Sequence, residues 1–197
     1  MHVLLFEVLP KPGHERHYFE RAAALRPIVE RNPGLLFLER FKSLSRPGLI
    51  LSYQLWQDED ALAAWRRDSD HKGAQQAGRA VHFADYRIRI ATVLPEAREP
   101  HGGFSGAGQS AAHVVIVSSS KEPYRQAGEA FSSVTRADAY LAVIEATDEA
   151  DGRRALDQAV AQGIVEEARL AAVSRDYGMH RREQAPSDLS SEPPAGA

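Results

Sequence analysis

The pattern of this chain's first half starts again in its second, and such a repeat restricts the fold before any single residue is considered. "GLILSYQLWQDEDALAAWRR" (48–67) aligns without gaps to "AYLAVIEATDEADGRRALDQ" (139–158) at an offset of 91 residues, and "HVLLFEVL" near the start resembles "HVVIVSSS" beginning at His113. The chain therefore reads as two degenerate copies of one unit.

The first copy shows the unit's order. "HVLLFEVL" is short, apolar and closed by Pro10, Pro12 and Gly13, the pattern of a buried strand followed by a turn. Tyr18, Ala22, Leu25 and Val29 then recur at helical spacing, with Pro27 expected to bend or shorten the helix. "LLFLERFKS" and "LILSYQLW" read as two strands joined by a turn at Pro47 and Gly48. In the second of these, Leu49, Leu51, Tyr53 and Leu55 form an apolar face, and Ile50, Ser52, Gln54 and Trp56 a mixed one. Asp58, Glu59 and Asp60 open a helix that carries Leu62 and Trp65, a shorter helix runs from Ser69 to near Gly78, and "VHFADYRIRIATVL" alternates like a half-buried strand. The order is β-α-β-β-α-β. In the second copy "EPYRQAGEAFSSV" is expected to be a helix, with the strand equivalent to "LLFLERFKS" missing or very short.

These readings divide the chain into residues 1–96, a glycine-rich linker at 97–111, a second repeat at 112–182 and a disordered tail at 183–197. Of the 197 residues 43% are hydrophobic, enough for packed cores. The net charge is −3 with Lys and Arg scattered among the acids, which excludes a nucleic-acid footprint. With no cysteine, thiol nucleophiles and cysteine metal ligands are excluded too. No apolar run reaches the roughly 18 residues a membrane span needs, and the start lacks the basic flank of a signal peptide, so the expected setting is cytoplasmic, with no membrane partner.

With this order in hand, the first half resembles the antibiotic biosynthesis monooxygenase family. Trp56 closing a strand, Ala61, Leu62 and Trp65 on the next helix, then Ser69 and His71, and Tyr86 on a late strand carry the resemblance. It implies an α+β fold of tandem ferredoxin-like domains with antiparallel sheets, pairing as an intramolecular pseudo-dimer of the dimeric α+β barrel type, open to further homodimerisation. It also implies a cofactor-independent monooxygenase that oxidises a small aromatic or quinol substrate in a pocket of the first domain. His71 would be the catalytic base there, and Trp65, Tyr53 and Tyr86 would bind the substrate. The alternatives are a non-catalytic barrel that binds a small ligand or serves a structural role, and a haem-degrading monooxygenase. Haem is disfavoured because the first strand offers Leu4 and Leu5 where such relatives have an asparagine.

The residues themselves allow the proposed chemistry. Ser69 is placed to cap a helix, which puts His71 in the first turn, where the helix dipole disfavours an imidazolium while Asp68 and Asp70 favour it. A neutral His71 can take a proton from a phenol. The plain reading is that Trp65 anchors its helix and His71 is solvated. At the offset of 91, Trp65 meets Leu156 and His71 meets Gln162, so any such site belongs to the first copy. His14 and His17 lie three apart without a third metal ligand at recognisable spacing and read as surface; "HGGF" and the linker glycines lack the strand and helix context of an oxyanion or phosphate loop.

Overall fold

The computed structural model describes residues 1–95 and 112–186. The expected linker and most of the expected tail lie outside them, as does "HGGF". The elements are β1 (His2–Pro10), α1 (Glu15–Val29), β2 (Leu35–Ser43), β3 (Ile50–Trp56), α2 (Glu59–Arg67), α3 (Ser69–Ala77), a π-helical turn (Gly78–His82), β4 (Phe83–Val93), β5 (His113–Ser120), β6 (Glu129–Ser133), β7 (Ala139–Ala146), α4 (Glu149–Val160) and β8 (Val165–Gly178). No helix among the described residues is long and apolar enough to cross a membrane.

The fold is α+β with antiparallel strand pairing throughout. The eight strands form one closed barrel in the order β1-β3-β2-β6-β7-β5-β8-β4. Strands β1 to β4 meet β5 to β8 at two seams: a short one, where Phe41, Lys42 and Ser43 pair with Ser133, Ser132 and Phe131, and a long one between β4 and β8. One interior is filled from both halves, by Val3, Leu5, Phe41, Leu51, Ile116, Phe131 and Leu141 among others. The outer face of the first half is covered by α1 and α2, where Val29, Leu62 and Trp65 bury against Trp56 and Ile90.

The structure corrects four expectations. "EPYRQAGEAFSSV" forms no helix: only residues 121–128 separate β5 from β6, too few for a helix and its return, and Gly128 turns the chain at φ +75° into the short β6. Tyr124 fills the space such a helix would cover, buried beside Val117 and Ala159. The α3 cap is Asp68 and not Ser69, since the Asp68 carboxylate accepts the His71 N–H at 3.0 Å. The alignment at an offset of 91 does not match the strand registers. His2 pairs with Trp56 and His113 with Ala146, and Leu51 and Leu141 both point into the barrel, so β3 and β7 take matching places at a spacing of 90 residues. A slip of one would exchange the faces of a strand. At a spacing of 90 from Trp65 and His71 stand Ala155 and Ala161. Finally, the polar face of β4 turns inward at Arg89. Arg89 is 4% exposed and donates to Glu7 inside the barrel, near its end, with Glu145 as a second partner at 3.0 Å.

Candidate functional site

Two capped helices bring Trp65 and His71 together. Asp58 caps α2, accepting the Ala61 N–H at 2.8 Å, and the helix buries Leu62 and Trp65 on its inner side. Asp68 then leaves the helical conformation (φ −57°, ψ 134°) and caps α3 in turn, so the chain folds back within a few residues. As a result the His71 ring stacks on Trp65, with centroids 4.2 Å apart and planes 12° from parallel. His71 Nδ1 lies 3.0 Å from the Trp65 carbonyl oxygen. A carbonyl only accepts, so Nδ1 carries the proton and Nε2 keeps its lone pair. The Gln75 amide nitrogen stands 3.4 Å from Nε2. Burial pushes the His71 pKa down to about 4, against the upward pull of the Trp65 carbonyl and the Asp68 carboxylate.

This pair lies on the wall of a cavity of about 300 Å³ between α1, α3 and the outer face of β1, β3 and β2. Phe6, Leu25, Val29 and Phe83 supply apolar surface, and Tyr18, Arg40, Ser52 and Gln54 supply polar groups. The mixed face of β3 is thus the cavity floor, and its apolar face is barrel interior. Within the floor, Trp56 Nε1–H donates to Gln54 Oε1 at 3.0 Å and Gln54 Nε2–H donates to Ser52 Oγ at 3.2 Å.

The remaining predicted site residues divide. Tyr86 lines a smaller adjoining cavity of about 90 Å³ with Trp65 and His71, and its hydroxyl accepts from Arg182 at 2.9 Å. Tyr53 is not brought to the site. It points into the barrel on the opposite face of β3, its ring 5.6 Å from Phe37, and burial pushes its phenol up to about 12 despite the nearby Arg169. Sequence reasoning missed Tyr18 and Arg40. The signal for the floor was present in Ser52 and Gln54, two polar residues on a strand otherwise apolar on both faces.

A larger cavity of about 940 Å³ opens at one end of the barrel, but its charges answer one another: Arg89 with Glu7, Arg87 with Asp176 and Glu145, Arg46 with Glu7 and Glu129. Apolar residues such as Leu9, Leu49, Phe131 and Met179 line it too, but among ion-paired side chains, whereas the smaller cavity has the stacked Trp65 and His71 on its wall. Near α1, His82 joins His14 and His17 as a third imidazole, with Nδ1 of His14 and His82 2.8 Å apart. No group of three His, Cys, Asp or Glu side chains among the described residues is arranged to hold a metal ion.

Residues 1–77 match the sequence profile described as antibiotic biosynthesis monooxygenase. A protein of Pyricularia oryzae named jasmonate monooxygenase ABM is 39% identical over 98 residues, which are 50% of this chain and 46% of that protein. The chain therefore spans less than half the length of that relative. The uncharacterized protein YqjZ of Bacillus subtilis is 30% identical over 83 residues, 42% of this chain and 71% of its own length. Among solved structures, PA3566 from Pseudomonas aeruginosa is 17% identical with a TM-score of 0.43, covering 48% of this chain and 94% of that one. An anthrone oxidase-like protein is 10% identical with a TM-score of 0.40, covering 94% and 95%.

Proposed function

This chain belongs to the antibiotic biosynthesis monooxygenase family, and from that premise we propose that it is a cofactor-independent monooxygenase acting on a small aromatic or quinol-type substrate in the cavity beside Trp65 and His71. The observation that carries the reading is the His71 ring, held flat on Trp65 with Nδ1–H tied to a carbonyl and Nε2 left as an acceptor on the wall of an apolar cavity. Burial keeps this imidazole neutral at neutral pH, so it is ready to accept.

In the proposed reaction His71 Nε2 takes a proton from an acidic methylene or its phenolic tautomer, leaving a resonance-stabilised carbanion. The new imidazolium is stabilised by that anion, by the Trp65 carbonyl and by the Asp68 carboxylate. The carbanion reduces dioxygen and a C–O bond forms. Loss of the second C–H proton and cleavage of the O–O bond then give a ketone and water, so that R₂CH₂ and O₂ become R₂C=O and H₂O. The substrate supplies the electrons and dioxygen is the oxidant. Trp65 and Phe83 would flank the flat ring system, with Tyr86 closing the adjoining space.

The barrel supports a companion inference, that the chain is a fused pair. Residues 1–95 give the strand order β4-β1-β3-β2, and residues 112–186 repeat it as β8-β5-β7-β6. The second half would then close the barrel without a site of its own, since Ala155 and Ala161 stand where the first half has Trp65 and His71.

Oxygen uptake by metal- and flavin-stripped protein, with a panel of reduced quinols and anthrones, tests the proposal. Turnover is expected for at least one of them, with His71→Ala lowering kcat by roughly 100-fold or more. Turnover unchanged in that variant would remove His71 from the mechanism. The low basicity of His71 favours one second reading, a barrel that binds such molecules without oxidising them. Saturable binding with no oxygen uptake would establish it.

A further inference from the structure

Two guanidinium groups line the cavity without a carboxylate to answer them. Arg40 stands on the floor and Arg21 at the rim, and neither forms an ion pair among the described residues. Glu20 is the carboxylate in the lining, and it is engaged by Arg16 at 3.3 Å with His17 at 3.8 Å. The cavity therefore carries a positive excess. Arg40 Nε is buried without a hydrogen-bond partner, and the polar group beside its guanidinium is the Tyr18 phenol. Leaving a charged donor buried and unmet is costly, so a ligand that satisfies it gains correspondingly.

The floor's hydrogen bonds point the same way. An indole N–H only donates, so Trp56 fixes the Gln54 amide with its oxygen toward the indole and its NH₂ toward Ser52. Ser52 Oγ is then an acceptor in that chain, and its own proton is the terminal donor. Ser52 is registered directly opposite Arg40 on β2 and Phe6 on β1, all on the outward face. A hydroxyl donor and a guanidinium that has the Tyr18 phenol but no carboxylate as partner thus lie on neighbouring strands at the bottom of the cavity.

We propose that Arg40 and Ser52 form a carboxylate-binding subsite, so that the ligand of this cavity is an apolar organic acid anchored at the β2–β3 floor with its body directed toward Trp65 and His71. The proposal rests on the reading of this cavity as the ligand site, and it holds whether or not the bound molecule is oxidised. Arg21 at the rim steers the anion in and makes the smaller contribution, because it is exposed.

The test compares acids with their own esters. Binding of 4-phenylbutyrate, decanoate and their methyl esters is followed by Trp65 fluorescence and calorimetry at pH 7.5. The acids should bind roughly 10- to 100-fold more tightly than the esters, the range expected for a charge-assisted pair. Arg40→Gln should abolish that preference while leaving ester binding intact, which also certifies the fold of the variant. Arg40→Lys should restore part of it, and Ser52→Ala should weaken the acids alone. Equal binding of acid and ester by the wild type, or a preference that survives Arg40→Gln, overturns the subsite while leaving the cavity as a ligand site. Absence of binding by any of the four overturns both.

Discussion

Replacing His71 by Asn should flatten the dependence of stability on pH, and the size of the effect follows from the site. Burial holds the His71 pKa at about 4 in the folded chain, against 6.5 for the free side chain. The native state thus binds fewer protons than the unfolded state between these values. The corresponding stability is fully present above pH 6.5 and is lost as pH falls toward 4. At about 1.4 kcal/mol per pKa unit, the wild type loses on the order of 2–3 kcal/mol through this one group between pH 7.5 and 4.5. The Asn variant lacks that term. It should be less stable than wild type at pH 7.5, having lost the Trp65 stack, and the gap should close by on the order of 2–3 kcal/mol by pH 4.5. Urea unfolding across this range measures the gap, and an NMR titration of His71 locates its pKa independently. A gap that stays constant with pH, or a His71 titrating near 6.5, would refute the picture of a buried neutral imidazole.

Three further substitutions probe the frame around the site. Asp68→Ala removes the α3 cap and should cost about 1 kcal/mol, with a change in Trp65 fluorescence as His71 loses its place; unchanged emission would mean the cap does not position the ring. Glu7→Gln leaves Arg89 buried with a neutral partner on that side and should cost roughly 3–5 kcal/mol in urea unfolding, whereas Glu7→Leu combined with Arg89→Met should recover most of that; equal losses would contradict the account of the pair. Gly128→Ala should lower the melting temperature far more than Gly13→Ala. Both have positive φ, but a Cβ at 128 would sit 2.3 Å from the Val143 oxygen while one at 13 meets nothing within 4 Å, so equal shifts would discount the clash.

Much of the first half was legible because its elements alternate cleanly between period 2 and period 3.6. Asp58 and the acids after it marked α2, and the pairing of Trp65 with His71 survived an error over the cap, since Asp68 and Ser69 are both capping types. What the sequence could not display was the barrel's closure. The seams β2–β6 and β4–β8 join residues 78 to 92 apart, and no local pattern encodes them. Closure is also why Tyr53 was misplaced. A strand buried on both faces offers an apolar side toward the interior and a mixed side toward the helices, and alternation alone does not say which is which. The same ambiguity hid Arg89, whose partner Glu7 lies on a strand 82 residues away. Arg40 and Tyr18 became site residues only when α1 was laid over β2.

In the proposed reaction substrate meets oxygen in the cavity beside Trp65 and His71. The most direct test is ¹⁸O₂ labelling of the product formed by metal- and flavin-stripped wild type and by Ala74→Phe, which fills the cavity from the α3 side. One labelled oxygen atom per product molecule is expected in the wild type and none above background in the variant. Labelled product formed equally by both proteins would place the chemistry elsewhere.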